Sequence, residues 1–158
     1  MQRTLPLSLA LLFILVARDA AADLTAFVGS TLTPANRPAR GVAVSVSLLF
    51  VGFEFEFSDT GADASAGAPS LRSAMFNMQV QTPRFAGVQA YGTAGGGLYQ
   101  EQLAERKKTN LGTNAGGGLK VPLAGPIGVR LDYRVFTLRG SPLHTTVQRF
   151  YVGANLAF

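Results

Sequence analysis

The sequence predicts an all-β protein: an eight-stranded antiparallel up-and-down transmembrane β-barrel preceded by a cleavable signal peptide. Three observations carry that expectation. The chain ends in an alternation that puts Phe150, Val152, Ala154, Leu156 and Phe158 on one face and Tyr151, Gly153, Asn155 and Ala157 on the other, as in a strand with one side turned to lipid. Seven earlier segments alternate in the same way, separated by clusters of turn-forming residues. Beyond residue 22 no apolar run approaches the roughly 20 residues a helical span needs. A membrane-embedded form must then cross as strands, whose amides only a closed barrel can pair in hydrocarbon.

Residues 1–22 read as an address. Arg3 is the positive flank, residues 5–17 are the apolar run, and Ala20, Ala21 and Ala22 form a small-residue cleavage site. The alternative, a single anchoring helix, is opposed by the short run, which Arg18 and Asp19 close. The expected mature chain, residues 23–158, is long enough for one domain. Its net charge falls from +5 to +4 once Arg3, Arg18 and Asp19 leave. The basic residues are scattered among apolar strands, which argues against nucleic acid as a partner. There is no cysteine, so no disulfide framework holds this exported chain together.

In the first strand, residues 24–32, Leu24, Ala26, Val28 and Leu32 oppose Thr25, Phe27, Gly29 and Thr31, and Pro34, Asn36, Arg37 and Pro38 then mark a loop. The second, residues 42–50, sets Val42, Val44, Val46, Leu48 and Phe50 against Ala43, Ser45, Ser47 and Leu49. At Val51 and Gly52 the phase slips by one residue, so that Phe53, Phe55 and Phe57 oppose Glu54, Glu56 and Ser58. A tight turn between antiparallel strands produces such a slip, as does one long bulged strand. Residues 59–70, small and turn-forming, are expected as a mobile surface loop.

The fourth strand sets Arg72, Ala74, Phe76, Met78 and Val80 against Ser73, Met75, Asn77, Gln79 and Gln81, and Thr82, Pro83 and Arg84 turn the chain. A glycine-rich fifth strand is expected over residues 85–99, and the charged residues 100–108 as a solvated loop. The sixth strand opposes Leu111, Thr113, Ala115, Gly117, Leu119 and Val121 to Asn110, Gly112, Asn114, Gly116, Gly118 and Lys120; residues 122–126 turn. The seventh opposes Ile127, Val129, Leu131, Tyr133 and Val135 to Gly128, Arg130, Asp132, Arg134 and Phe136, and residues 138–145 loop to the terminal strand. Short turns near Val51, Pro83 and Gly125 alternate with longer connections after Leu32, Ser58, Tyr99 and Thr137, the asymmetry of outer-membrane barrels.

A soluble barrel also alternates, so the polar face decides. Here Glu54, Glu56, Gln79, Asn114, Lys120, Arg130, Asp132, Arg134, Arg149 and Asn155 share that face with many glycines and serines. That mixture suits a narrow interior better than a water-facing exterior. Charge is nearly absent from the apolar face, where a Lys or Arg costs about 2–4 kcal/mol at the bilayer midplane. Arg72 is the expected exception, close enough to the outer loop for its side chain to reach the headgroups.

The runs LTAFVGSTL, VGFEFEF, NAGGGLKVPLAGPIGVRLDYRVF and YVGANLAF give the chain its likeness to a known group. It resembles the small eight-stranded outer-membrane β-barrels, the opacity-protein and OmpA/OmpX-like family. The resemblance implies an outer-membrane location and contact with outer-membrane lipid and lipopolysaccharide. It also implies handling by periplasmic chaperones and the barrel-assembly machinery, with Phe150, Val152, Ala154, Leu156 and Phe158 as the assembly signal and a monomer as the expected state. No peptidoglycan-binding segment is expected after the barrel, so the tethering role of longer relatives is not carried over.

The sequence offers three kinds of site. Glu54 and Glu56 are expected to meet Arg130, Arg134 and either Lys120 or Arg149 across the lumen, with Asp132 alongside. Counted from the turns, Glu56 and Arg130 lie at matched depth. The alternative is a hydrated cavity without specific pairing, and with it a small pore. Arg106, Lys107 and Lys108, with Arg37, Arg40 and Arg139, form a basic ring at the outer rim, suited to lipopolysaccharide phosphates or another anion, or simply to solvation. His144, near Ser141, is the one candidate for a lipid A or phospholipid hydrolase, but no acidic residue beside it orients the ring, and no enzyme is expected. No cofactor or metal is expected either: there is no Cys/His cluster, and the GGG runs fall within strands.

Overall fold

The computed structural model describes residues 20–158. It contains β1 (Ala20–Thr31), β2 (Arg37–Leu48), β3 (Val51–Thr60), β4 (Ser70–Gln81), β5 (Gln89–Leu103), β6 (Arg106–Ala124), β7 (Ile127–Leu138) and β8 (Thr146–Ala157). Each strand pairs antiparallel with the next. β1 closes on β8, from Asp23 opposite Ala157 to Thr31 opposite Arg149, so the sheet is a closed barrel with no free edge.

The pleat sends alternate side chains to opposite sides, and the outcome inverts a soluble barrel. Phe53, Phe55 and Phe76 are 52%, 53% and 58% exposed on the wall, whereas Glu54, Glu56, Arg130 and Arg134 are 0% exposed inside. An apolar wall around a polar interior is stable only where hydrocarbon replaces water outside. Among the described residues no helix is long and apolar enough to cross a membrane, which leaves crossing by strands untouched. The leader expected over residues 1–22 lies, up to residue 19, outside the described residues; Ala20, Ala21 and Ala22 pair with Leu48, Ser47 and Val46.

Several strand limits differ from the sequence reading. The β2–β3 turn is residues 49–50, not Val51 and Gly52, with Leu49 at φ 54°. Leu48 faces Val51 across the turn, which is how the phase slips. β5 begins at Gln89; residues 85–88 form their own turn, with Phe85 bridged to Val88 and Ala86 and Gly87 at positive φ. Residues 100–108 are not a loop: β5 and β6 continue through them as a hairpin that turns at residues 104–105, pairing Glu101 with Lys108 and Gln102 with Lys107. β6 also runs on to Ala124 through an irregularity after Pro122. β2, β7 and β8 extend further toward the outer rim than the alternation alone implied. Outside the bilayer a hairpin can carry polar residues on both faces, so the hydrophobic pattern ends before the strand does.

Glycines let the small interior accept large side chains. A Cβ on Gly118 would meet the Leu131 carbonyl oxygen at 2.0 Å and the Tyr91 hydroxyl at 2.6 Å. On Gly116 it would meet the Tyr133 carbonyl oxygen at 2.1 Å and the Arg134 Cγ at 3.0 Å.

Candidate functional site: the barrel interior and its outer rim

The middle of the barrel holds an interlocked charge cluster. Glu54, on β3, accepts from four donors: Arg130 Nη1, Arg134 Nη2 at 2.7 Å, Gln79 Nε2 at 2.8 Å and Asn77 Nδ2 at 3.2 Å. Asp132, between the two arginines on β7, accepts from Arg130 Nη2 at 3.1 Å, Arg134 Nε at 2.9 Å and the Tyr91 hydroxyl. Glu56 takes Arg149 Nη2 and faces Arg134 Nη1 at 3.1 Å, an ion pair whose angle falls outside hydrogen-bond alignment. Three guanidinium charges thus face three carboxylate charges. Such balance is what burial demands, because an unpaired buried charge costs several kcal/mol.

Aromatic rings complete the packing. The Arg149 guanidinium lies 4.7 Å from the Phe136 ring and 5.2 Å from Phe27, which stacks on Tyr151 at 4.0 Å; Arg130 lies 4.7 Å from the Tyr91 ring. Asn114 Nδ2 donates to Asn77 at 2.8 Å, and Arg149 Nη1 to Ser58 at 2.7 Å. Side chains from β1 and from β3 through β8 therefore meet across the lumen.

Two details depart from the sequence reading. Glu54, not Glu56, is the residue level with Arg130. With the turn at residues 49–50, Glu54 stands three residues above Val51 just as Arg130 stands three above Ile127. Lys120 is not in this cluster: it pairs with Asp23 nearer the turn end, where Asp23 also accepts from Asn155 Nδ2 at 3.3 Å and Ser45 at 3.4 Å.

Above the charges sits an apolar layer the sequence did not reveal: Leu71, Met75, Tyr99, Phe136, Leu138 and Val147, all buried. Leu138 falls in a segment that reads as a loop and Leu71 and Val147 fall just outside the expected strands, and only the longer strands turn them inward. The rim then folds over this layer. Arg37 donates to the carbonyls of Thr33 at 3.0 Å, Ala35 at 3.4 Å, Gly61 at 3.3 Å and Pro69. Glu101 accepts the Leu143 amide at 3.2 Å, and Arg106 donates to the Ser141 carbonyl at 2.7 Å. The loop at residues 61–69 is closed by a bridge between Asp63 and Ala68.

The basic stretch is split rather than gathered. Strand alternation puts Arg106 and Lys108 on one face of the hairpin and Lys107 on the other, and Arg106 is 3.7 Å from the buried Glu101. His144 Nε2 lies 3.3 Å from the Gly67 carbonyl, while the described contact of Ser141 is through its own carbonyl to Arg106. Phe150, Val152 and Ala154 lie on the exposed wall and Leu156 is half-buried there. Phe158, just past β8, donates its amide to the Ala22 carbonyl at 2.8 Å.

An apolar wall, a charge-filled interior and eight sequential strands define a small barrel of the outer-membrane type. Solved structures say the same. The chain is similar to the N-terminal β-barrel domain of Pseudomonas aeruginosa OprF, at 13% identity over 87% of this chain and 97% of that one, with a TM-score of 0.63. It is also similar to Neisserial surface protein A (13%, 87% and 94%, TM-score 0.61) and to the outer membrane enzyme PagL (12%, 85% and 98%, TM-score 0.55). No protein family model and no curated protein matches the sequence. At these identities the likeness is one of fold: that of the small eight-stranded outer-membrane barrels, as the sequence resemblance implied. One of the three is an enzyme by name, so the fold hosts catalysis as well as other roles.

Proposed function

We propose that the protein is an integral outer-membrane barrel with a structural or surface-interaction role, and that its lumen is plugged by the charge cluster rather than conducting. The observation that carries this reading is the interlocking of Glu54, Glu56 and Asp132 with Arg130, Arg134 and Arg149 at full burial. An eight-stranded lumen is only wide enough for side chains to fill. Purified protein in a planar bilayer is expected to give no steady single-channel current. Large, steady conductance would overturn the plug in favour of a small pore.

Export by the N-terminal leader, delivery by periplasmic chaperones and assembly as a monomer belong to the same reading. So does recognition of Phe150, Val152, Ala154, Leu156 and Phe158 by the barrel-assembly machinery. Deleting Phe158 should lower the amount of assembled barrel in cells while leaving refolding into vesicles unchanged; equal loss in both would assign Phe158 to stability alone. Catalysis is the weaker reading, since His144 contacts a backbone carbonyl. Deacylation of lipopolysaccharide by the wild type and not by His144→Ala would reverse that judgement. The β5–β6 hairpin, with Lys107 and Lys108, is the part of the rim suited to an anionic partner. Charge reversal at both lysines is expected to weaken retention of anionic ligand, and an unchanged level would mark them as solubilising charges.

A further inference from the structure

The wall facing the bilayer carries one charged row. Arg40 on β2 is opposite Asp59 on β3, which is opposite Arg72 on β4. All three point outward, against the expectation that Arg72 would stand alone on that face. Arg72 Nε binds Asp59 Oδ1 at 2.9 Å, whereas Arg40 Nη2 is 3.9 Å from Asp59 Oδ2, with side-chain exposures of 64% and 80% for the two arginines. One carboxylate shared by two guanidiniums leaves a positive charge in excess. Asp59 is eight residues above Val51, about 20 Å along the barrel axis at a tilt near 40°, close to the upper edge of an apolar band ~25 Å tall.

Directly below lies a groove of about 790 Å³. Its floor is the pair Ala26 and Ala154, opposite each other where β1 meets β8, and its sides rise to Val129 beyond Ala154 and to Val42 and Phe57 beyond Ala26. Arg40 and Arg72 are among its lining residues. The groove is apolar below and cationic above, at headgroup height.

We propose that this groove binds a phosphorylated lipid of the outer leaflet, with a phosphate held between Arg40 and Arg72 and an acyl chain lying over Ala26 and Ala154. The arginine fork suits phosphate oxygens, and the alanine floor leaves room for a chain that a flush wall would not hold. The inference rests on the membrane-spanning reading but makes a separate claim, because a barrel can span without retaining any particular lipid.

The test is lipid retention by native mass spectrometry of the full barrel in detergent. The probes are a bisphosphorylated, multi-acyl glycolipid of the lipid A type and zwitterionic phosphatidylcholine, with inorganic phosphate as competitor. Heat-modifiable migration in each sample reports folding, so failure to form a barrel is read separately from failure to hold lipid. Wild type should prefer the phosphorylated glycolipid, and Arg40→Gln with Arg72→Gln should lower its retention about ten- to thirtyfold. Ala26→Phe should also reduce it while leaving both arginines in place, whereas Arg84→Gln, in the exposed turn between β4 and β5 at the other end of the barrel, should not. The proposal is overturned if wild type holds both lipids equally, a result that stands even if a variant misfolds. It is equally overturned if the double arginine variant retains wild-type binding, if Arg84→Gln matters as much, or if inorganic phosphate displaces the lipid completely. A dimer that Ala26→Phe dissolves would assign the groove to a second copy of the chain instead.

Discussion

Replacing Glu54 by Gln removes one negative charge from the centre of the cluster without changing its shape. Glu54 is 0% exposed and receives two guanidiniums and two amides. The substitution leaves three arginines facing two carboxylates in a site that water does not reach. Breaking a buried pair by neutralising one partner costs about 3–5 kcal/mol. With a urea slope of about 2 kcal/mol per molar, the unfolding midpoint should fall by about 1.5–2.5 M. The chain has no tryptophan and four tyrosines, so unfolding from lipid vesicles is followed by tyrosine fluorescence and by loss of the unboiled gel band. Removing Arg130 as well, as Arg130→Met in the same chain, restores the balance: Arg134 and Arg149 against Glu56 and Asp132. The double variant should recover at least half of the lost midpoint, a coupling that distinguishes charge balance from packing. A Glu54→Gln midpoint within about 0.5 M of wild type, or strict additivity in the double variant, would refute this account of the interior.

Three further expectations follow from particular contacts. Gly118→Ala forces a Cβ to within 2.0 Å of a carbonyl oxygen and should cost about 1–3 kcal/mol or abolish the folded gel band, whereas at Gly92 the nearest atom is 4.0 Å away and Gly92→Ala should fold normally. Arg37→Ala deletes the guanidinium that ties residues 33, 35, 61 and 69 together. Limited proteolysis should then cut residues 61–69 faster, and Arg37→Lys should fail to restore protection, because an ammonium cannot span those carbonyls. The Ser65 hydroxyl and the Ala66 amide donate to Asp63 in that loop and hold its carboxyl below the usual carboxylate range. A lowered folded value means that the closure is intact above the ordinary carboxylate pKa and is lost as pH falls through the lowered one. The Ser65 and Ala66 amide resonances should report that loss on acidification and should stay unmoved in Asp63→Asn.

The sequence by itself determined the number of strands, their order and the direction of nearly every side chain within them. Phe53 and Glu54 point to opposite sides whatever surrounds them, because a two-residue period is a property of the local backbone. Tertiary structure alone decided who meets whom. That Glu54 rather than Glu56 is level with Arg130, and that Lys120 turns to Asp23, depends on where the turns fall and how β1 closes on β8. Strand ends were equally hidden. Outside the bilayer no hydrophobic alternation is required, so Leu138 and the basic hairpin read as loops, and Val147 lay outside the expected terminal strand, until their partners were in place. The same reason separated Arg106 and Lys108 from Lys107 and aligned Arg40, Asp59 and Arg72, three residues far apart in the chain that a closed sheet brings into one row.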